Sequence, residues 1–332
     1  MQIKTSSHHL QNYKIYLQVE KAVSEYLEEK GYLKVDLPVL SSALIPESYL
    51  EVFETEFNYF NKKEKLYLTP SPELFLKRLL VVGIGNCYYL GRAFRNSEPN
   101  SSWHLPEFTM LEFYKLGVNY LEMADEVLEM LQYIKNQILN SKNTNKKLKI
   151  SFNKWEKISV AQAFDKYSAI NKNELFNQKL FIKKAIDKGY KSDGFSYEDI
   201  FTQIFVQEIE PYLGKNGFPT LLYDYPKELA SLAKMNKNGK TAQRCEFYIN
   251  GLEVGGFCTE LNNYKEQGKR FQQETLKRKK KELIGHTIDK GFIEALKYGL
   301  PDCSGVGIGV ERLAMIFANV DSIEDLKLIN IH

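Results

Sequence analysis

The chemistry of this 332-residue chain can be sought first in GRAFRNSEPNSSWHLPEFTMLEFY, which ends at Tyr114. It reads as a strand, a polar loop from Asn96 to Pro106, and a second strand. Side chains alternate faces along a strand, so Met110, Glu112 and Tyr114 share one face and Thr109, Leu111 and Phe113 the other. A carboxylate among apolar neighbours must find a cationic partner or keep its proton. Arg95 closes the first strand and points toward the loop, and a guanidinium suits bidentate contact with phosphate. A plain hairpin with a surface arginine fits the same spacing equally well.

A second candidate is GVGIGVERLAMIF, Gly305 to Phe317. Gly305, Gly307 and Gly309 leave one strand face bare, so a flat ligand could lie against the backbone. A helix is expected to begin near Val310, with Val310, Leu313, Ala314 and Phe317 as its buried stripe. Arg312 then falls in the first turn, where a cation opposes the helix dipole unless an anion compensates it. A misplaced arginine beside a bare glycine strand points to a phosphate site. The glycine spacing is not that of the dinucleotide fingerprint.

In NGLEVGGFCTELNN, Glu253 and Glu260 are seven residues apart, which on an unbroken strand would put them on opposite faces. Gly255 and Gly256 allow a bulge that brings them together, and two solvent-facing glutamates are the alternative. Ser71 and Glu73, in TPSPELFLKRLL, stand where a loop meets a helix, a place for a helix cap as much as for a ligand.

The elements that must position these residues come in blocks. A helix is expected from about Tyr13 to Lys30, ended by Gly31, and then the extended YLKVDLPVL. Strands are expected over Glu51 to Phe60, Lys65 to Thr69, Asn86 to Arg95 and Glu107 to Tyr114, with helices at Glu73 to Val82 and Tyr120 to Leu139. The lysine-rich stretch Asn140 to Lys149 reads as a surface connection, and about 160–214 as a mostly helical insertion. Strand patterns return at Arg244 to Leu261, before a charged helix from about Asn263 to Leu283. Blocks of strands and helices favour an antiparallel sheet flanked by helices over a doubly wound parallel sheet.

Composition agrees with a soluble globular protein, with 43% hydrophobic and 26% charged residues. No run is long enough to cross a bilayer and no signal-peptide stretch opens the chain, so a cytoplasmic protein is expected. Cys87, Cys245, Cys258 and Cys303 lie far apart and read as buried thiols, not as a zinc site or disulfide framework. A net charge of +3 does not by itself imply nucleic-acid binding.

Together these segments resemble the motifs of class II aminoacyl-tRNA synthetases: YLKVDLPVL resembles motif 1, FRN…EFTMLEFY motif 2 and GVGIGVERL motif 3. Within that class the chain is similar to lysyl-tRNA synthetases and, closer still, to the short paralogues that ligate (R)-β-lysine to elongation factor P. The likeness covers nearly the whole chain, including LYLTPSPE, KRLLVVGIGNCYYLGRAFRN and PDCSGVGIGV. It implies an α+β fold, an antiparallel sheet flanked by helices, as a single catalytic domain over 1–332. With the core helix starting at about Tyr13, it implies no anticodon-binding domain and no stable tRNA binding.

By the same resemblance, Arg95 and Arg312 are the catalytic pair that holds the phosphates of ATP, above the Gly305 to Gly309 strand under the adenine. Asn96, Glu98, His104, Glu253, Val254 and Gly309 complete the ATP site. Ser71, Pro72, Glu73, Glu112, Tyr114 and Glu260 line the amino-acid pocket, and Glu253 and Glu260 hold Mg²⁺. The implied reaction forms an aminoacyl adenylate from lysine or (R)-β-lysine and passes it to a lysine of elongation factor P, releasing AMP. A homodimer is implied as well. Ser97 stands where the family has Glu, with Glu98 one place later; Leu105 and Gly256 replace asparagines. The altered motif 2 loop keeps open a non-catalytic paralogue that binds an amino acid or ATP; a truncated lysyl-tRNA synthetase is the other alternative, against which the missing anticodon domain argues.

Overall fold

The structure, a computed structural model, describes residues 2–97, 101–140 and 148–330. The chain forms two compact units, one from Met1–Gly117, Tyr133–Lys147 and Leu261–His332, the other from Val118–Gln132 and Leu148–Glu260.

The first unit opens on the helix Ser7–Glu29, six residues earlier than periodicity placed its start. Ser6 explains the difference: its Oγ accepts the His9 N–H at 3.3 Å, a cap lying outside the apolar stripe. Ile15, Val19, Ala22, Val23, Tyr26 and Leu27 form the buried face, and Gly31, at φ 83°, ends the helix as expected. This helix packs on the helix Val310–Ala318. Four strands follow in the order Leu33–Lys34, Cys87–Phe94, Glu107–Leu116, Cys303–Gly309. The last two pairings are antiparallel, whereas the short edge strand Leu33–Lys34 runs parallel to Cys87–Tyr88. The hairpin Glu54–Tyr59/Lys62–Leu68 stands in a separate small sheet with Leu40–Ser41.

The second unit is built on a hairpin, Thr241–Ile249 and Leu252–Thr259, turned at Asn250 and Gly251, both at positive φ (56° and 81°). Thr220–Pro226 joins it antiparallel, and Glu156–Ser159 lies parallel to Thr220–Tyr223. Helices Val160–Ser168, Gln178–Asp187 and Tyr197–Ile204 fall where helical content was expected. They bury an aromatic cluster of Phe164, Phe181, Tyr197 and Phe201 with ring centres 4.7–6.3 Å apart. The strands Glu156–Ser159 and Thr220–Pro226 and the helix Lys290–Gly299 were not foreseen. Thr220–Pro226 is buried on most of its length, so it shows no polar-apolar alternation to read. The lysine-rich connection falls largely at 141–147, outside the described residues.

One buried cation organises a surface segment of the first unit. Arg278 is 4% exposed, although it stands in a run of five consecutive basic residues, Lys277 to Lys281. Its Nη1 donates to Glu47 O at 2.7 Å and Leu50 O at 2.6 Å; its Nη2 donates to Ile284 O at 2.7 Å and to Glu51 Oε1 at 3.2 Å. A guanidinium alone has the donors to hold three carbonyls and a carboxylate at once. Arg278→Ala is expected to destabilise the protein by about 3 kcal/mol or more, since three backbone carbonyls lose this donor and Glu51 loses its buried cation. An unchanged urea midpoint would show that water replaces the guanidinium without cost.

Candidate active site

Strand register gathers the candidate residues of the first unit. Along Glu107–Leu116, Phe108, Met110, Glu112 and Tyr114 share one face, paired on one side with Ala93, Gly91, Tyr89 and Cys87. On the other side, Met110, Glu112 and Tyr114 pair with Gly309, Gly307 and Gly305. Cross-strand partners share a face, so the three glycines lie bare beside Glu112, as expected. A methyl added at Gly307 would meet Met110 Cε at 3.5 Å, an ordinary contact, so alanine fits there too. Arg95 follows Ala93 by two residues on the same face, its Cζ 5.4 Å from the centre of the half-buried Phe108 ring.

The acidic end of this face lies around Glu112. Ser71 Oγ donates to Glu112 Oε2 at 2.7 Å and Tyr114 Oη to Glu112 Oε1 at 2.8 Å. Ser71 Oγ also accepts the Glu73 N–H at 3.0 Å, so it caps the helix Glu73–Val81 and orients Glu112 together. Pro72 begins that helix without a side-chain cap of its own. Burial, then the charge of Glu73, pushes the Glu112 carboxyl up to about 8, against the two hydrogen bonds and Lys77. Lys77, 2% exposed, pairs with Glu73. It was missed, although its place four residues after Glu73 on a helix was a readable signal. Glu47 was missed too; burial lifts its carboxyl above the usual range, Glu73 adds to that, and a hydrogen bond from Tyr49 and the charge of Arg95 oppose it.

The basic end holds Arg95, His104 and Arg312. Arg312 Nη2 donates to His104 Nε2 at 2.8 Å and its Nε to Trp103 O at 3.1 Å. For Nε2 to accept, Nδ1 must carry the ring proton, and Ser101 Oγ lies 2.5 Å from Nδ1 to receive it. Burial, then the charges of Arg312 and Arg95, lowers His104 to about 4, so the ring is neutral at pH 7. Arg95 Nε is buried and meets no acceptor among the described residues. The helix dipole is answered by Glu311, whose two oxygens accept the Thr109 N–H at 3.0 and 2.9 Å, while Lys327 Nζ donates to it at 2.6 Å. Asn96 turns to the neighbouring segment instead: its N–H donates to Glu51 O at 3.0 Å and its Nδ2 to Val52 O at 3.4 Å. Glu98 lies outside the described residues.

In the second unit a bulge is present, one residue before the glycine pair at which it was expected. Phe247 pairs with Gly255 while Tyr248 pairs with Glu253, so Val254 is the extra residue. Past the bulge, Glu253, Gly256 and Cys258 oppose Tyr248, Glu246 and Arg244 on one face, and Glu260 continues it two residues on. Glu253 and Glu260 therefore share a face despite their odd separation. Cys258 Sγ donates to Glu260 Oε1 at 3.5 Å. Glu246, which sequence reasoning passed over, accepts from Arg244 Nη2 at 2.8 Å, from Tyr248 Oη at 2.5 Å and from Tyr225 Oη.

Among the described residues no cluster of three or more His, Cys, Asp or Glu side chains could hold a metal alone. Two carboxylates on one face suit Mg²⁺, which is usually bound by one or two carboxylates and completed by phosphate oxygens and water. The acceptor-less Nε of Arg95 and the bare glycine face likewise suit a nucleotide triphosphate.

One sheet face thus carries an arginine at one end, a protonated carboxyl at the other and a bare glycine strand alongside. The family described as "tRNA synthetases class II (D, K and N)" matches residues 1–329, and the chain belongs to it. Curated relatives are 36% identical over 315 residues (Buchnera aphidicola subsp. Schizaphis graminum), 35% over 311 (Yersinia enterocolitica) and 34% over 313 (Hamiltonella defensa). In each case the match covers 92% of this chain and 90% of the relative, and each relative bears the name elongation factor P--(R)-beta-lysine ligase. The expected α+β class II core is thus found, with the correction that two edge strands are parallel. No helix among the described residues is long and apolar enough to cross a membrane.

Glu112 has a pH signature. Its folded pKa lies above the ordinary carboxylate value, so the folded state holds a proton that the unfolded state loses from about pH 4.5. Its favourable contribution is present in full below that pH and is lost as pH rises through about 8. The Glu112→Gln protein, without ligand, should lose less stability than wild type between pH 5 and pH 8 in thermal unfolding. Parallel curves for the two proteins would show that Glu112 is ionised throughout.

Proposed function

We propose that this chain is an ATP-dependent, AMP-forming ligase that activates (R)-β-lysine or lysine and transfers it to a lysine side chain of elongation factor P. The observation that carries the reading is Glu112: a buried carboxyl, beside Glu73, held protonated until a cation arrives. A diamino acid brings two ammonium groups, and each charge-assisted hydrogen bond to a carboxylate contributes roughly 1.5–3 kcal/mol. An aspartate substrate would meet the wrong sign of charge there. The printed names of the curated relatives support the same substrate and acceptor.

In this reading Ser71, Pro72, Glu73, Glu112 and Tyr114 hold the amino acid, and Arg95, His104 and Arg312 hold the phosphates, with Gly309 and the other strand glycines under the base. Mg²⁺ is held by Glu253 and Glu260, with Val254 shaping the bulge, and supplies charge neutralisation on the triphosphate when bound. The substrate carboxylate attacks the α-phosphate, the bond to pyrophosphate breaks, and the mixed anhydride remains. The acceptor amine, having lost a proton, attacks the carbonyl carbon, and AMP leaves with the bonding pair. No side-chain nucleophile is required; placement and charge account for the acceleration. A neutral His104 adds no charge of its own beside the two guanidiniums. We read the protein as a cytoplasmic homodimer.

Pyrophosphate exchange measured side by side with lysine, (R)-β-lysine and (S)-β-lysine tests the reading; no exchange with any of them refutes it. Arg312→Ala should abolish exchange and leave the circular dichroism spectrum unchanged, and wild-type exchange in that variant would remove Arg312 from the site. Binding of the amino acid should also release close to one proton at pH 7, as an ammonium ionises Glu112, and none above about pH 9. Calorimetry in buffers of different ionisation enthalpy reads this release, and Glu112→Gln should eliminate it. An equal release from the variant would assign the proton elsewhere.

A further inference from the structure

The basic run at the end of the helix Tyr264–Lys280 has no part in the site described above. Lys277, Arg278, Lys279, Lys280 and Lys281 are five of the 45 Lys and Arg residues; the remaining 40 face 42 Asp and Glu. Five cations in consecutive positions make a local excess of positive charge in a chain whose formal net charge is +3. One or two cations suffice to answer a helix C-terminus, and five exceed that need.

The run is fixed to the edge of the site. Arg278 is buried and holds the carbonyls of Glu47 and Leu50, and Glu274, one turn earlier, accepts the Ser48 N–H at 3.0 Å. The same segment is bonded to the residue that follows Arg95, through Asn96 N–H to Glu51 O and Asn96 Nδ2 to Val52 O. Lys279, Lys280 and Lys281 are exposed, and Leu276, 63% exposed, lies one turn before them on the helix. Three outward cations beside an outward leucine suit a protein face with carboxylates around an apolar spot. A nucleic-acid backbone would answer the cations but not Leu276, and a chain of net charge +3 has little general attraction for it.

We propose that Leu276, Lys279, Lys280 and Lys281 form the docking surface for an acidic face of the acceptor protein. Through Arg278 and the segment 47–52, this surface presents the acceptor at the Arg95 end of the site. The inference rests on the ligase reading and adds to it the place where the acceptor binds.

The test is the triple variant Lys279→Gln, Lys280→Gln, Lys281→Gln, in which a helix-compatible side chain removes charge alone. Pyrophosphate exchange with the preferred diamino acid should stay within about twofold of wild type. The kcat/KM for transfer to purified elongation factor P should fall about tenfold at low ionic strength, and the gap should close as salt is raised. Leu276→Ser should slow transfer with the salt dependence unchanged. Equal transfer by the triple variant and wild type overturns the docking surface, and so does a parallel fall in exchange, which would mark a structural role. Loss of tRNA binding in the variant, where wild type binds it, assigns the surface to RNA and also overturns the proposal. Absence of exchange in wild type, by contrast, refutes the ligase reading itself, and the acceptor surface with it.

Discussion

Two N–H···O contacts from one backbone amide hold the site in register. The Thr109 N–H lies 3.0 and 2.9 Å from the two oxygens of Glu311, a side chain 1% exposed and neutralised by Lys327. That contact ties the first turn of the helix Val310–Ala318 to the strand Glu107–Leu116. Arg312 is the next residue along the helix, so its place relative to Arg95 follows from the tie. A buried carboxylate without these partners would be costly, and its satisfied state is therefore restrictive.

The two ends of the same strand face carry opposite electrostatic problems. At one end burial and Glu73 keep Glu112 protonated; at the other burial and two arginines keep His104 neutral. In both cases the group that would lose its charge is the one surrounded by like charge, with water excluded. An ammonium relieves the first situation for the carboxyls, and an anionic phosphate group relieves the second for the arginines. A ligand that carries a carboxylate and two amines, next to a triphosphate, meets both demands along one strand.

Several of these relations were readable in advance. Alternation along EFTMLEFY put Met110, Glu112 and Tyr114 on one face, and Gly305, Gly307 and Gly309 had to lie bare on theirs, because both follow from a period of two. The bulge at Val254 was legible from two adjacent glycines between two glutamates of the wrong parity. The helix at Glu73 and the cap at Ser71 were legible as local chemistry. Less local relations were invisible. Nothing in the run of basic residues near Lys279 marked Arg278 as buried, since its partners are carbonyls some 230 positions away in the chain.

By itself, then, the order of residues determined which side chains share a strand face, where the strongly periodic helices lie, and which family the motifs belong to. Those properties depend on neighbours two to four positions apart, which periodicity and capping make explicit. The tertiary structure decided the rest: that Glu112 keeps its proton, that His104 accepts from Arg312, and that Arg278 is an anchor while Lys279 to Lys281 face outward. Each of these is set by burial and by charges brought together from distant segments. Desolvation and Coulomb terms depend on distance in space, and the sequence contains that distance only after the chain has folded.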